Sequence, residues 1–319
     1  MDISRRGFIG SAAGFAMLGG CASCACSGGS VYRGVPIGVI TYSFRSMPVG
    51  AGNTLRYTLD SHLSTVELMS NDVEMDAGAP MNKLPWNMSK EEKAALAEWR
   101  RTVDVKRYED VRARYAAAGV EVHIVKFGDI GSMSLSDAEM DYRFKVARAM
   151  GARTITREIP DPKNIPGWWN SEGRRLAAFA ERHDIQIAFH NHLQIDAATY
   201  DGPLLGYSPN LRINFDIGHY VAATTDDAKR FIDPLAFIEK YHDKIFSIHL
   251  KDRTTKAHGS KNLEFGKGDT PLAKLLPFLQ KKGWPFYCDI ELEYKIPNGS
   301  DAVKEVARCN AFCRKAAGC

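Results

Sequence analysis

Four stretches of the chain close an apolar run with side chains that can bind cations or move protons. They are Ala188-Phe189-His190-Asn191-His192, Asn214-Phe215-Asp216-Ile217-Gly218-His219, Ser247-Ile248-His249-Leu250-Lys251-Asp252 and Asp289-Ile290-Glu291. Alternate residues of an extended strand share a face. Ala188 with His190, Asn214 with Asp216, Ser247 with His249, and Asp289 with Glu291 therefore point one way, while Phe189, Phe215, Ile248 and Ile290 point the other, toward covering helices. Taken singly, a strand-end His is most often a satisfied polar residue and a lone Asp a helix cap. Four ionisable groups buried on one face instead require a countercharge. Neutral imidazole with carboxylate suits one divalent cation such as Mn, Co, Zn or Fe, whereas Mg and Ca favour oxygen donors alone. The expected ligands are His190, Asp216, His249 and Glu291, with coordination positions left over for substrate oxygens.

These residues need a scaffold, and the chain from Pro36 onward repeats one unit: a strand-length apolar run, a polar exit and an amphipathic helical stretch. The patterning predicts strands over 37–43, 65–69, 120–126, 154–158, 185–190, 211–216, 245–250 and 285–291. Helices are expected over 89–118, opened by the Ser89/Glu92 pair, and over 138–150, 172–183, 227–241, 271–281 and 301–315. Eight alternating units predict a parallel sheet closed as a (β/α)8 TIM barrel, with an open doubly wound sheet as the alternative. No Gly-x-Gly-x-x-Gly follows the first run, so dinucleotide binding is unsupported. In such barrels the active site lies at the carboxyl ends of the strands.

Composition narrows the class further. With 319 residues, 45% hydrophobic and 25% charged, the chain is neither disordered nor fibrous. Its 42 Lys and Arg against 38 Asp and Glu leave a net charge of +4 without a basic block, so no nucleic-acid partner is expected. Seven cysteines are too few for a disulfide framework. Cys309 and Cys313 share a helix face and, with Cys319, could pair among themselves or with Cys24 or Cys26, or be buried small hydrophobes.

The first residues form a separate unit. Ser4-Arg5-Arg6-Gly7-Phe8-Ile9 and the apolar run to Gly20 resemble a twin-arginine export signal, the run being too short to span a bilayer. Leu18-Gly19-Gly20-Cys21 resembles a lipoprotein signal-peptidase site with Cys21 as the lipidated residue. The expected organisation is a signal over 1–20, a flexible tether over 21–35 and a barrel over 36–319. The product would be exported to the periplasm and touch a membrane only through the lipid on Cys21.

Several motifs together resemble the xylose isomerase-like TIM-barrel superfamily, in particular its sugar phosphate isomerase/epimerase group, which includes inosose dehydratases and is related to endonuclease IV. They are Thr65-Val66-Glu67-Leu68-Met69, the Asp216-Ile217-Gly218-His219 step, His249-Leu250-Lys251-Asp252, Phe265-Gly266-Lys267-Gly268 before Asp269-Thr270-Pro271-Leu272, and Glu291 in Asp-Ile-Glu-Leu-Glu. The resemblance implies Asp216, His249 and Glu291 as metal ligands, His219 as a substrate contact and Arg253 as a group binding substrate oxygens. Ketose 3-epimerases carry Glu where this chain has His190. Inosose dehydratase-like members carry His there and again two residues on, as at His192, which makes His190 the implied fourth ligand.

By the same resemblance the metal acts as a Lewis acid on a sugar carbonyl and stabilises the enediolate formed when a neighbouring C–H proton is removed. Glu291 is the candidate base. Glu158, His192 and Lys251, in that order, are candidate partner acids from their strand-end positions. Lys251, Arg253, Lys126 and Trp168 are expected to contact substrate, Trp168 as an aromatic wall in company with Trp169, Phe44 and Tyr220. Each also has a structural alternative: Glu158 paired with Arg157 or Arg153, Lys251 with Asp252, Glu67 and His123 hydrogen-bonded inside the barrel, and Trp168 in the core. The expected function is a metal-dependent sugar isomerase or epimerase acting on a small carbohydrate, with a keto-sugar lyase or dehydratase as the alternative. An endonuclease IV-like hydrolase would need His where this chain has Glu67 and Lys126. A non-catalytic sugar-binding lipoprotein would leave the ionisable cluster without a purpose. No feature of the sequence sets an oligomeric state.

Overall fold

Each of the eight apolar runs forms a strand in the computed structural model, which describes residues 29–161, 163–193, 196–225, 231–284 and 286–319. The barrel strands are β1 (Val35–Ile40), β2 (Thr65–Met69), β3 (Glu121–Lys126), β4 (Thr154–Glu158), β5 (Gln186–His190), β6 (Leu211–Asp216), β7 (Ile245–Leu250) and β8 (Tyr287–Ile290). Neighbours pair in parallel in chain order, and β8 pairs with β1 to close the sheet. The fold is a (β/α)8 barrel. The alternation that predicted it also sorts the core: Phe189, Phe215, Ile248 and Ile290 are all buried against the helical layer. Phe215, for example, stacks on Phe237 of the helix Pro234–Tyr241 with ring centroids 4.3 Å apart.

Polar side chains fill the barrel axis and find partners there, as buried polar groups must. Low in the barrel, His123 shares hydrogen bonds with Thr65 Oγ1 and Asp289 Oδ2, both at 2.8 Å. One layer higher, Glu67 reaches His249 Nε2 at 2.8 Å and accepts from Thr156 Oγ1 at 2.5 Å. Glu67 and His123 are therefore internal hydrogen-bonding groups.

The structure corrects several expected boundaries. β1 stops at Ile40 because Thr41–Phe44 turns into a 3₁₀ helix. The helix expected over 89–118 is two, Lys90–Thr102 and Lys106–Ala117; the Ser89/Glu92 capping box opens the first, and Asp104 Oδ1 accepts from Lys106 N at 3.0 Å to start the second. Residues 30–35, expected as the end of a tether, belong to the barrel: Val31–Tyr32 pairs antiparallel with β1, and the buried Tyr32 hydroxyl donates to Asn310 at 2.8 Å. Cys309 and Cys313 are buried free thiols, while Cys319 is disulfide-bonded. The expected signal over 1–20, the lipidation residue Cys21, and Cys24 and Cys26 lie outside the described residues, as does the 227–230 part of the helix expected over 227–241. No described helix is long and apolar enough to cross a membrane.

Candidate metal centre and active site

Strand register carries His190, Asp216, His249 and Glu291 to one level of the barrel mouth. His190 lies opposite Asn214 on β6, Asp216 opposite His249 on β7, and Glu291, one residue past β8, donates its N–H to Leu250 O at 3.0 Å. One donor atom from each of the four lies within 4.8 Å of the others, and all four residues are buried. Neighbours lock each donor. His190 Nδ1 donates to Asn214 Oδ1 at 2.7 Å and Asn214 Nδ2 to Ser247 Oγ at 2.6 Å, which leaves the Nε2 lone pair of His190 facing the cluster. Asp216 uses Oδ1 to cap the helix Ile217–Ala223, accepting from His219 N at 2.6 Å, and aims Oδ2 inward. Asn191 and the Asp216 backbone exchange two hydrogen bonds of 2.9 Å that tie β5 to β6. Gly218 is required where this helix begins, because a Cβ there would lie 2.6 Å from Lys251 O.

Electrostatics set the protonation states. Burial would lower the His249 imidazolium, but the carboxylates of Glu67 and Glu291, bonded to its two nitrogens at 2.8 and 2.9 Å, raise it to about 10. Burial would raise Glu291, yet Lys251 and His249 hold it well below the usual carboxylate range. Burial, then the Lys126 charge, keeps His190 neutral. Burial, then Lys251, depresses His219 to about 2. Lys251 is fully buried yet stays charged, its Nζ lying 2.9 Å from Asp216 Oδ2, 2.9 Å from Glu291 Oε2 and 3.0 Å from Glu293 Oε2. It does not pair with Asp252, whose carboxylate accepts the backbone N–H groups of Gly266, Lys267, Gly268 and Thr270.

The donor set fits a divalent cation. Asp216 Oδ2, buried at the centre of the cluster, makes no hydrogen bond; Lys251 Nζ lies 2.9 Å from it, and the Nε2 atoms of His219 and His190 lie 3.7 and 3.8 Å away. Around it the carboxylates of Glu67, Glu158, Asp216, Glu291 and Glu293 outnumber the cations Lys126, Lys251, Arg253 and the His249 imidazolium, an imbalance that buried groups tolerate poorly. Two other groupings bring donors equally close: His190, His192 and His219, and Glu67, His249 and Asp289. Each has a member bonded outside it, as His249 of the favoured set is to Glu67, but only the favoured set contains the unbonded Asp216 Oδ2. His219 faces Lys251 Nζ at 2.8 Å and Arg253 Nη1 at 2.7 Å with its two nitrogens, and Asp289 is bonded to His123.

A cavity of about 240 Å³ opens over the cluster, lined by Ile40, Tyr42, Met69, Lys126, Glu158, His190, His192, Glu291 and Glu293. The sequence-derived residues Lys126, Glu158 and His192 thus meet the ligand set, while the charged Lys251 and Arg253 flank the neutral His219 in a buried layer beside it. Glu158 pairs with Lys126 at 3.1 Å rather than with Arg157 or Arg153. Against the pull of burial, Lys126 brings it down to about 2, so Glu158 enters the site ionised. Trp168 is not a wall of the site. It is 2% exposed, donates Nε1–H to Gly131 O at 2.8 Å and packs edge-on against Phe189 on the outer side of the barrel. Trp169, Phe44 and Tyr220 are likewise buried in the core. The aromatic residue at the cavity is Tyr42, which the sequence reading missed because it places Tyr42 inside a strand rather than in the turn that follows. Glu293 was also missed, although the alternation Asp289, Glu291, Glu293 carries its signal.

Comparison with known proteins agrees with this fold. The family model for the xylose isomerase-like TIM barrel matches residues 91–312, and the chain belongs to that family. No curated protein sequence matches it. Among solved structures, it is similar to the probable 3-DHS dehydratase AsbF of Bacillus anthracis (12% identity, TM-score 0.61, covering 87% of this chain and 98% of that one). It is also similar to an L-ribulose 3-epimerase (15%, 0.60, 89% and 95%) and to the IOLI protein solved with a bound zinc atom (11%, 0.61, 88% and 99%). The structural neighbours of this chain thus include a probable dehydratase, an epimerase and a sugar phosphate isomerase/epimerase.

Proposed function

We propose that this protein is a divalent-metal-dependent enzyme of the sugar isomerase/epimerase type, which removes a proton from the carbon beside the carbonyl of a small carbohydrate. The observation that carries the reading is the convergence of His190, Asp216, His249 and Glu291 beneath a monosaccharide-sized cavity. A cation held by these four side chains would polarise the carbonyl and offset the negative charge that develops on its oxygen. The chain's own residues do the rest. Glu291, held ionised by Lys251 and His249, accepts the proton. The buried Lys251 ammonium adds fixed positive charge beside it, where low dielectric strengthens the effect. His192, neutral and half-buried, with its ring 4.9 Å from that of His190 and 4.7 Å from that of His219, lines the cavity and can relay a proton from solvent, accepting at one ring nitrogen as the other releases its own. The Lys126–Glu158 pair orients substrate hydroxyls across the cavity.

A second reading, loss of a substituent β to the carbonyl, shares the first step. The C–H electrons become a C–C π bond, the bond to the substituent breaks, and the departing oxygen takes a proton relayed from solvent through His192, while Glu291 afterwards releases the proton it gained. Arg5-Arg6 and Cys21 support export with a lipid anchor, which fractionation and the mass of the mature N-terminus would test. For the chemistry, the metal-loaded protein is incubated in deuterated water with ketoses and with pyranosides bearing a ring ketone, and NMR locates the label. One deuteron on the carbon beside the carbonyl, lost on chelation and in Glu291→Gln, is expected. Absence of exchange in every substrate at saturating metal overturns the reading.

A further inference from the structure

Two pairs of lysine and glutamate stand at opposite poles of the cavity above the ligand cluster. Lys126 and Glu158 close β3 and β4, while Lys251 and Glu293 follow β7 and β8. Because the sheet is closed, β4 and β8 lie on opposite sides of the barrel, so Glu158 and Glu293 approach the mouth from facing sides, and both line the cavity. In each pair the carboxylate is the outer member. The side chains of Glu158 and Glu293 are 36% and 20% exposed, against 10% and 2% for Lys126 and Lys251. Each lysine makes its shortest contact with one carboxylate oxygen, Glu158 Oε1 at 3.1 Å and Glu293 Oε2 at 3.0 Å. The poles of the cavity therefore present carboxylate oxygen, an acceptor bearing negative charge, with the countercharge held behind it.

The neighbouring cations offer an anion little in return. Among the described residues, Lys126 is the one permanent cation lining the cavity. Arg253 is spent on His219 Nδ1 and Ser260 O, both at 2.7 Å, and Arg45 on the carbonyls of Tyr42 at 3.2 Å and Leu292 at 2.6 Å. Once His249 gives up its proton to a divalent ion, the cations around the cluster match the carboxylates, and a charged substrate would leave a buried charge unmatched.

We infer that the substrate is an uncharged polyhydroxy compound whose hydroxyls donate to Glu158 at one pole and Glu293 at the other, and that these carboxylates turn away sugar phosphates and sugar acids. The inference rests on the reading that this cavity takes a sugar, and it names the class. Glu293 thereby becomes a specificity-determining residue. A hydroxyl meets either carboxylate in a charge-assisted hydrogen bond. A phosphate or carboxylate in the same place meets like charge in a site where low dielectric strengthens the repulsion, which is selection against the wrong ligand as well as for the right one.

Calorimetry on the metal-loaded protein tests this by comparing the free ketohexoses fructose, psicose, tagatose and sorbose with fructose 1-phosphate, fructose 6-phosphate and fructuronate. At least one free ketohexose is expected to bind about tenfold tighter than every anion. Glu158→Gln and Glu293→Gln each keep the shape and remove one negative charge. In either variant the phosphate esters are expected to bind severalfold tighter than they do to the wild type, while the free ketose binds more weakly. Loss of folding cannot produce those opposite signs, and thermal melting checks each variant. An anion that binds as tightly as the best free ketose, no binding by any free ketose, or variants that weaken every ligand alike would overturn the inference. Deuterium exchange measured in parallel separates the two ideas: exchange in phosphate esters and free sugars alike defeats only the selection for uncharged substrates, and selective binding without exchange defeats only the proposed reaction.

Discussion

The two halves of the barrel mouth use opposite chemistry. β5 to β8 end in His190, Asp216, His249 and Glu291, with Lys251 and Glu293 just beyond, a dense set of buried charges. β1 and β2 end in Ile40 and Met69, and the only charges facing the cavity from β3 and β4 are the paired Lys126 and Glu158. The difference separates tasks: one half concentrates the field that chemistry needs, and the other shapes what enters. A charge in the first half is matched by neighbours, whereas a charge in the second is penalised by burial.

That contrast can be broken at four points. The largest effect belongs to the charged half, where Glu291→Gln keeps shape but removes the proton acceptor. Turnover should fall by about 10³-fold, measured by deuterium incorporation, with the melting curve little changed. A loss below tenfold would move the base elsewhere.

Asp72 tests the other half. It accepts from Thr41 Oγ1 at 2.8 Å and Gly50 N at 2.9 Å, but burial pushes its carboxyl up to about 6 from 3.8. The native state then holds a proton that the unfolded chain has already released, so this group's contribution to stability is full below pH 4 and is lost as pH rises through 6. Relative to Asp72→Asn, the wild type should lose about 3 kcal/mol between pH 4 and pH 7 in urea unfolding. A constant difference would contradict the burial argument.

Glu67→Gln comes next. It keeps an acceptor for His249 Nε2 but removes the charge behind it, and metal affinity should fall by about 10- to 100-fold in a chelator competition. Unchanged affinity would mean that packing alone orients His249. The smallest effect is expected from Trp168→Phe, which should cost about 1 kcal/mol for the lost bond to Gly131 while leaving KM for the sugar within twofold. A large change in KM would return Trp168 to the site.

The same halves differ in how legible they were. The barrel and the ligand face followed from strict period-2 alternation, in which one wrong residue would have broken the register of Asn214/Asp216 with Ser247/His249. The sequence reading saw that Asn214 and Ser247 shared that face, but only the coordinates reveal that they fix the His190 ring. Tertiary contacts hid the rest. Nothing in Val103-Asp104 carries the Gly or Pro that usually breaks a helix, and the break depends on Asp104 capping the next one. Trp168 follows a strand as a site aromatic would, yet its ring packs edge-on against Phe189. Glu158 is at a catalytic position by order along the strand, but its protonation depends on Lys126, from a different strand.

The central claim, that four side chains from four adjacent strands hold one cation, is tested most directly by anomalous diffraction from crystals grown with Mn or Zn. The account predicts one strong peak at the barrel mouth, within about 2.0 to 2.3 Å of a donor atom from each of His190, Asp216, His249 and Glu291. A peak at the three-histidine grouping instead, or no peak at saturating metal with Lys251 still seated on Asp216 and Glu291, would contradict it.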